Sequence, residues 1–430
     1  MSSEPDTTLR ITADLLRFRH NPFHNEDALE LLQEHTVVVQ NGHIQATVPR
    51  EVAARQWPDA PESHHPGHWL LPGFIDAHSH YPQLGIVASW GEALLPWLER
   101  YTFPEEARFR QPDYAESIAD RYQRLCLKNG ITTPVVFCTS HPHSVEAWFR
   151  QAQRRNMRTI AGQVLMNRNA PDAVLRDHEA ALLEVEQQIQ RWHDRGRQQY
   201  ALTPRFAATS TPEQLRDTGQ LMQHTGCLMQ THLSENREEI RWMLNLFPGC
   251  RDYLDIYQQH GLLGTGSLFA HGIHLSDSEI KRMHRAGAKL VHCPTSNLFL
   301  GSGLMPTRTL ADRGITLALG SDIGAGPTLN PFALMARAYE ISRLQNRPLT
   351  AAQLLWMATG SAAQALGLAN HIGALEPGKE ADVILIDPHA HELLASRMER
   401  AETLEAKLFA LICLSESPPV RKTWLAGQPA

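Results

Sequence analysis

Residues 69–78 read WLLPGFIDAH, an apolar, β-forming run that turns polar towards its C-terminal end. Seven further runs repeat the pattern: TTPVVFC (132–138), RTIAGQVL (158–165), YALTPRF (200–206), LMQTHL (228–233), SLFAHGIH (267–274), KLVHCP (289–294) and ITLALGSD (315–322). The intervening segments are helical in pattern. In 177–197, Leu182, Val185, Ile189 and Trp192 recur at spacings of three and four and form one apolar face. Eight buried strands alternating with helices predict an α/β fold, a closed parallel (β/α)₈ TIM-like barrel.

Outward from the barrel, both chain ends are β-rich. ITADLLRF (11–18) and TVVVQNGHIQATV (36–48) precede it, the second with the hairpin signal Asn41-Gly42. GALEPGKEADVILID (373–387) follows it. The two ends are expected to meet in a small β-sandwich domain built from residues 1–69 and 373–430, with the barrel spanning 70–372.

Composition narrows the class. The 430 residues are 42% hydrophobic and 20% charged, as in soluble globular chains. A net charge of −6 without a basic run argues against nucleic acid or an acidic membrane as partner. No apolar stretch is long enough to span a bilayer, and MSSEPDTTLRITADLLRF lacks the core of a secretion signal. The six cysteines form no C-x-x-C pair, so neither disulfides nor a zinc-thiolate site is expected. A cytoplasmic location is the expectation.

Ionisable residues gather at the C-terminal ends of the strand runs: His78, His80, Arg205, His232, Glu235, His271 and Asp322. In a (β/α)₈ barrel these ends converge on one mouth, where active sites are built. His78 and His80, at i and i+2, face the same side of one strand. With His232 and Asp322 they offer three nitrogens and a carboxylate with room for water, which fits an open catalytic metal site. A lone H-x-H would carry little weight; the convergence carries the argument.

These residues are where the sequence resembles the amidohydrolase superfamily. PGFIDAHSH is similar to its first-strand motif, and His232, His271 and Asp322 fall on strands five, six and eight as the resemblance requires. Binuclear members carry a lysine on strand four. That strand ends here in Thr203-Pro204-Arg205-Phe206, so the resemblance implies one divalent metal per subunit, with Zn²⁺ expected and Fe²⁺ also compatible. Such a metal lowers the pKa of bound water from about 16 to near 7. Glu235, three residues beyond His232, is the expected proton shuttle. Asp322 is expected to bind the metal and accept from the attacking water, and His271 to orient that water and stabilise charge.

A finer resemblance, to the guanine deaminase family, lies in HYPQLG (80–85), YTFPEEARF (101–109), TPRFAATSTPEQL (203–215), THLSENREE (231–239) and HCPTSNLFLGSG (292–303). It implies hydrolysis of guanine to xanthine and ammonia, and a homodimer. Guanine offers O6 and N7 as adjacent acceptors, which the Arg205 fork can address. Phe206 offers a ring for stacking, worth about 1–3 kcal/mol, and Gln83 an amide that donates and accepts. Arg205→Ala is expected to raise KM for guanine far more than it disturbs folding. The competing readings are a deaminase of another heterocycle (pterin, triazine or other purine) and a non-catalytic scaffold on the same barrel. The cytidine-deaminase type is excluded because no P-C-x-x-C accompanies His24-Asn25-Glu26.

The remaining histidines receive no catalytic role. His64, His65 and His68 read as a solvated loop, and His141, His143, His274 and His292 as rim, supporting or core residues.

Overall fold

The structure, a computed structural model, describes residues 8–430. Residues 1–7, the start of the segment read above against a secretion signal, lie outside the described residues.

All eight expected barrel strands form. They are β5 (Phe74–Ser79), β6 (Ile131–Phe137), β7 (Thr159–Gly162) continued by β8 (Val164–Leu165), β9 (Gln198–Pro204), β10 (Leu228–Leu233), β11 (Ser267–His271), β12 (Lys289–His292) and β13 (Leu317–Leu319), where β1–β4 denote the strands Thr8–Phe18, Leu29–Gln40, His43–Pro49 and Glu62–Pro72. Neighbours pair in parallel in chain order. The seam between β13 and β5 is held by the Asp322 amide donating to the His78 carbonyl at 2.9 Å. Strands covered on both faces need continuous apolar runs, which is what the sequence supplies. Ile75, Val135, Ile160, Ala201, Leu268 and Val291, one from each of six strands, form one buried cluster with helix Gly360–Ala365.

The chain ends form a single seven-stranded sheet in the order β16-β15-β14-β4-β1-β2-β3, with β14 at Val383–Ile386, β15 at Val420–Leu425 and β16 at Gln428–Pro429. Only β1 and β4 pair in parallel; the other pairs are antiparallel. Ile11, Ala13 and Leu15 meet Val37, Val39, Leu70, Val383 and Leu385 in its core, at the every-second-residue spacing of a strand face. The predicted hairpin turn is present, with Asn41 and Gly42 both left-handed (φ 51° and 80°).

Three details differ from the sequence reading. The run 69–78 is divided at Gly73: its first part extends β4 in the terminal sheet, and only its second part enters the barrel. His64, His65 and His68 consequently sit on a strand rather than in a loop. The stretch after β14 adds two helices, Glu392–Arg400 and Leu404–Leu414, before the chain returns to the sheet. Turn residues and histidines made 62–68 look irregular, but β4 gains its pairing from β1 and β14, which are remote in sequence.

Sheet and barrel are joined at the strand-start end, opposite the mouth. Arg158 and Arg197, just before β7 and β9, both donate to the buried Glu380 carboxylate, Arg158 Nε at 2.8 Å and Arg197 Nη2 at 2.7 Å. Arg197 also pairs with Asp382. Such a buried ionic cluster contributes orientation more than net stability, since desolvation offsets much of the attraction.

Candidate active site

The seven ionisable residues singled out at the strand ends do converge. His78 Nε2 and His80 Nε2 each lie 3.3 Å from Asp322 Oδ1, and His80 Nε2 lies 3.2 Å from His232 Nε2. In a tetrahedral site with metal–nitrogen bonds of about 2.0–2.1 Å, ligand atoms stand about 3.3 Å apart. The spacing is therefore that of groups around a shared ion. His271 joins the cluster: ligand atoms of His78, His232, His271 and Asp322 all fall within 4.8 Å of one another. His271 Nε2 is nevertheless 3.8 Å from Asp322 and 3.5 Å from Glu235, so contact distance favours His80 over His271 in the innermost set.

Two of the imidazoles are aimed from behind. His232 Nδ1 sits 2.6 Å from the Arg205 carbonyl, and His271 Nδ1 is 2.8 Å from Asn297 Oδ1. A carbonyl can only accept, so His232 carries its proton on Nδ1 and turns a bare Nε2 into the cluster, the usual arrangement behind a ligating histidine. His78 Nε2 and His271 Nε2 are buried without a hydrogen bond of acceptable geometry among the described residues. Burial pushes His80 down to about 3 and His232 well below its ordinary value. Burial pushes the Asp322 carboxyl up, yet neighbouring His78 and His80 outweigh it and hold it well below the usual carboxylate range. Neutral imidazoles beside an ionised carboxylate are the protonation states a divalent cation requires. The donor set fits such an ion.

The backbone is strained where it presents these groups. Ser234, His271 and Asp322 have φ of 50°, 71° and 46°, a left-handed conformation that side chains other than glycine rarely adopt. Asp76, buried beneath, accepts from Ser321 N at 2.8 Å and Ser321 Oγ at 2.5 Å, fastening the β5 strand to the segment bearing Asp322.

Glu235 is buried, and its Oε1 accepts from Ser302 Oγ at 2.8 Å. Burial, helped by the Asp322 charge, pushes its carboxyl up to about 8. Its backbone amide donates to Glu239 Oε2 at 2.9 Å; Glu239 closes the capping box of helix Arg237–Leu246 and receives Tyr253 Oη at 3.0 Å. The helix start thus fixes where Glu235 stands.

A partly open cavity stands above the cluster, lined in part by Gln83, Trp97, Arg205, Phe206, Glu235 and Leu300. Arg205 does not stand alone: Nη1 donates to both oxygens of the fully buried Glu106, at 2.9 and 2.8 Å. Gln83 Nε2 donates to the same carboxylate at 3.0 Å. This corrects the simple expectation for Arg205→Ala, because truncation would strand a buried carboxylate. Phe206 is 4% exposed and meets Trp242 edge-on at 6.0 Å.

Sequence reasoning missed Asp76, Glu106, Asn297 and Ser302 as partners in the site. Glu106, Asn297 and Ser302 lie inside stretches that carried the resemblance, but their contacts span 23 to 99 residues. His274 Nε2 faces the Ser302 carbonyl at 2.9 Å, a supporting place, and His292 is buried with neither nitrogen partnered among the described residues. All six cysteines are unpaired. Among the described residues no helix is long and apolar enough to cross a membrane.

The profile of the Amidohydrolase family matches residues 69–430. The chain belongs to that family, whose class of barrel hydrolase the strand order and the His/Asp mouth define. Guanine deaminase of Escherichia coli K12 is 38% identical over 417 residues, covering 96% of this chain and 95% of the relative. The solved E. coli guanine deaminase superposes with a TM-score of 0.96 at 37% identity, over 98% of this chain and 99% of that one. A C. acetobutylicum guanine deaminase solved with guanine in its active site gives 0.90 at 29% identity, over 98% and 99%. Within the amidohydrolases the chain belongs with the guanine deaminases.

Proposed function

We propose that the protein deaminates guanine, adding water across the C2–amine bond to give xanthine and ammonia. The observation that carries this reading is the meeting of His78, His80, His232, Asp322 and Glu235 in one buried cluster beneath a cavity edged by Gln83, Arg205 and Phe206.

His78, His80, His232 and Asp322 would hold one divalent metal, zinc by preference given three imidazoles and a carboxylate. When bound, the ion supplies a water acidified to near neutrality. Glu235, lining the cavity beside the cluster, takes the proton released as water attacks. It gives that proton to the ring nitrogen as the C–O bond forms; the second water proton then passes to the amine, which leaves as ammonia as the C–N bond breaks and the new C=O closes. Asp322 accepts from the attacking water, and His271, fixed by Asn297, steadies the negative charge that develops. Phe206 covers the ring, while Arg205 and Gln83 address its polar edge. Exclusion of solvent from this buried mouth strengthens each contact.

Two further proposals accompany the reading. The protein works in the cytoplasm, supported by a cysteine content without disulfides. It functions as a homodimer, as the resemblance to the guanine deaminase family implies.

A panel of guanine, a pterin and an aminated triazine, followed by ammonia release, tests the substrate. Guanine should be preferred by orders of magnitude. Comparable turnover of another heterocycle with guanine inert would replace the assignment.

A further inference from the structure

Glu106 is fully buried and touches both side chains at the polar edge of the cavity. It projects from helix Phe103–Ala107, which directly follows a π-helical turn at Leu98–Thr102. A π turn rotates whatever follows it, and such turns recur where a helix must aim a particular side chain.

We infer that Glu106 is a positioning residue that decides which edge of a purine the pocket accepts, by fixing the polarity of Gln83 and Arg205. The inference rests on the guanine reading above. A carboxylate can only accept, so the Gln83 amide must turn Nε2 towards it. Oε1 is thereby placed on the other side, next to Gly324. That position has φ +119°, and any Cβ there would fall 2.1 Å from Oε1 and 2.5 Å from Gln83 Cβ, so glycine is what makes room for this side chain. Gln83 is left with an acceptor to offer a ligand, and Arg205 has only donors.

An acceptor beside a donor matches a ring N–H beside a carbonyl, the lactam edge that guanine and hypoxanthine share. An amino purine such as adenine presents the reverse, setting acceptor against Oε1 and amine against guanidinium. Buried polar groups left unpaired in this way are the strongest source of discrimination between isosteric ligands. With glutamine at 106, the neighbouring amide can donate or accept, and Gln83 is free to turn over.

Hypoxanthine and adenine both lack the 2-amino group, so each can be measured as an inhibitor of guanine turnover. Their inhibition constants are determined for the wild type, Glu106→Gln and Glu106→Asp, alongside thermal melts and guanine kinetics. The wild type should favour hypoxanthine. Glu106→Gln should reduce that preference by about tenfold or more, and raise KM for guanine more than it lowers kcat. Glu106→Asp keeps the charge, should fold where glutamine does not, and should show a smaller shift in the same direction. An unchanged preference in these variants, with all ligands weakened alike, would overturn the inference. Gln83→Ala and Arg205→Ala separate the two levels. If they too leave KM for guanine unchanged, the edge reading itself fails and the inference with it; if they raise it while preference survives at 106, only the role of Glu106 falls.

Discussion

Ser302 Oγ stands 2.8 Å from Glu235 Oε1, so a serine 67 residues away in sequence holds the carboxyl that must move the protons. The other oxygen, Oε2, faces His271 Nε2 at 3.5 Å. Glu235→Gln keeps the shape but removes the basic site. It should lower kcat by about 10²–10⁴ while metal content stays at the wild-type level. Ser302→Ala leaves the carboxylate in place but less firmly held, and should be milder. Both follow from steady-state rates with metal analysis of the same samples; wild-type kcat in Glu235→Gln would exclude it from proton transfer.

Arg205→Ala should act twice. Removing the guanidinium takes donors from the guanine edge, raising KM, and leaves Glu106 as a buried charge without its cation. Breaking such a pair costs about 3–5 kcal/mol. The melting temperature should therefore fall together with affinity. A variant as stable as wild type would contradict this role of the pair.

Asp76 predicts an effect on metal retention. It anchors Ser321 next to Asp322 from the strand that also bears His78 and His80. Replacing it with alanine should weaken metal affinity by about 10- to 100-fold, the usual scale for groups behind the ligands. Competition with a chelator of known affinity measures this directly.

At the far end of the barrel, Glu380 predicts a pH-dependent contribution to stability. Burial pushes its carboxyl up, but Arg158 and Arg197 outweigh burial and leave it below the ordinary value. A group depressed in the folded state stabilises fully above its unfolded pKa of about 4.3, and that contribution is lost as pH falls through the lower folded value. Glu380→Gln should be clearly less stable than wild type in urea at pH 7, with the gap closing in acid. A gap that persists or widens at low pH would contradict the sign.

The barrel was legible because strand runs buried on both faces leave a continuous apolar trace, and all eight such runs became strands. The cluster was legible because barrel topology sends every strand end to the same mouth, so His78, His80, His232, His271 and Asp322 could be grouped without knowing a distance. Other features left no local trace. β4 is a strand by virtue of β1 and β14, not of its own composition, which is rich in histidine and proline. Glu106 resembles any acidic residue on a helix until the fold sets Arg205 and Gln83 against it. Pairings of this kind depend on how helices lie across the mouth, which periodicity does not encode.

The most direct test of the whole account is metal analysis of purified protein coupled to a guanine-to-xanthine assay, before and after chelation and again after zinc is restored. One equivalent of divalent metal per chain, ammonia release that disappears with the metal, and recovery on adding zinc are the predicted results. Metal-free protein that turns over guanine at the full rate would contradict the account, as would a folded, fully loaded sample that releases no ammonia from guanine.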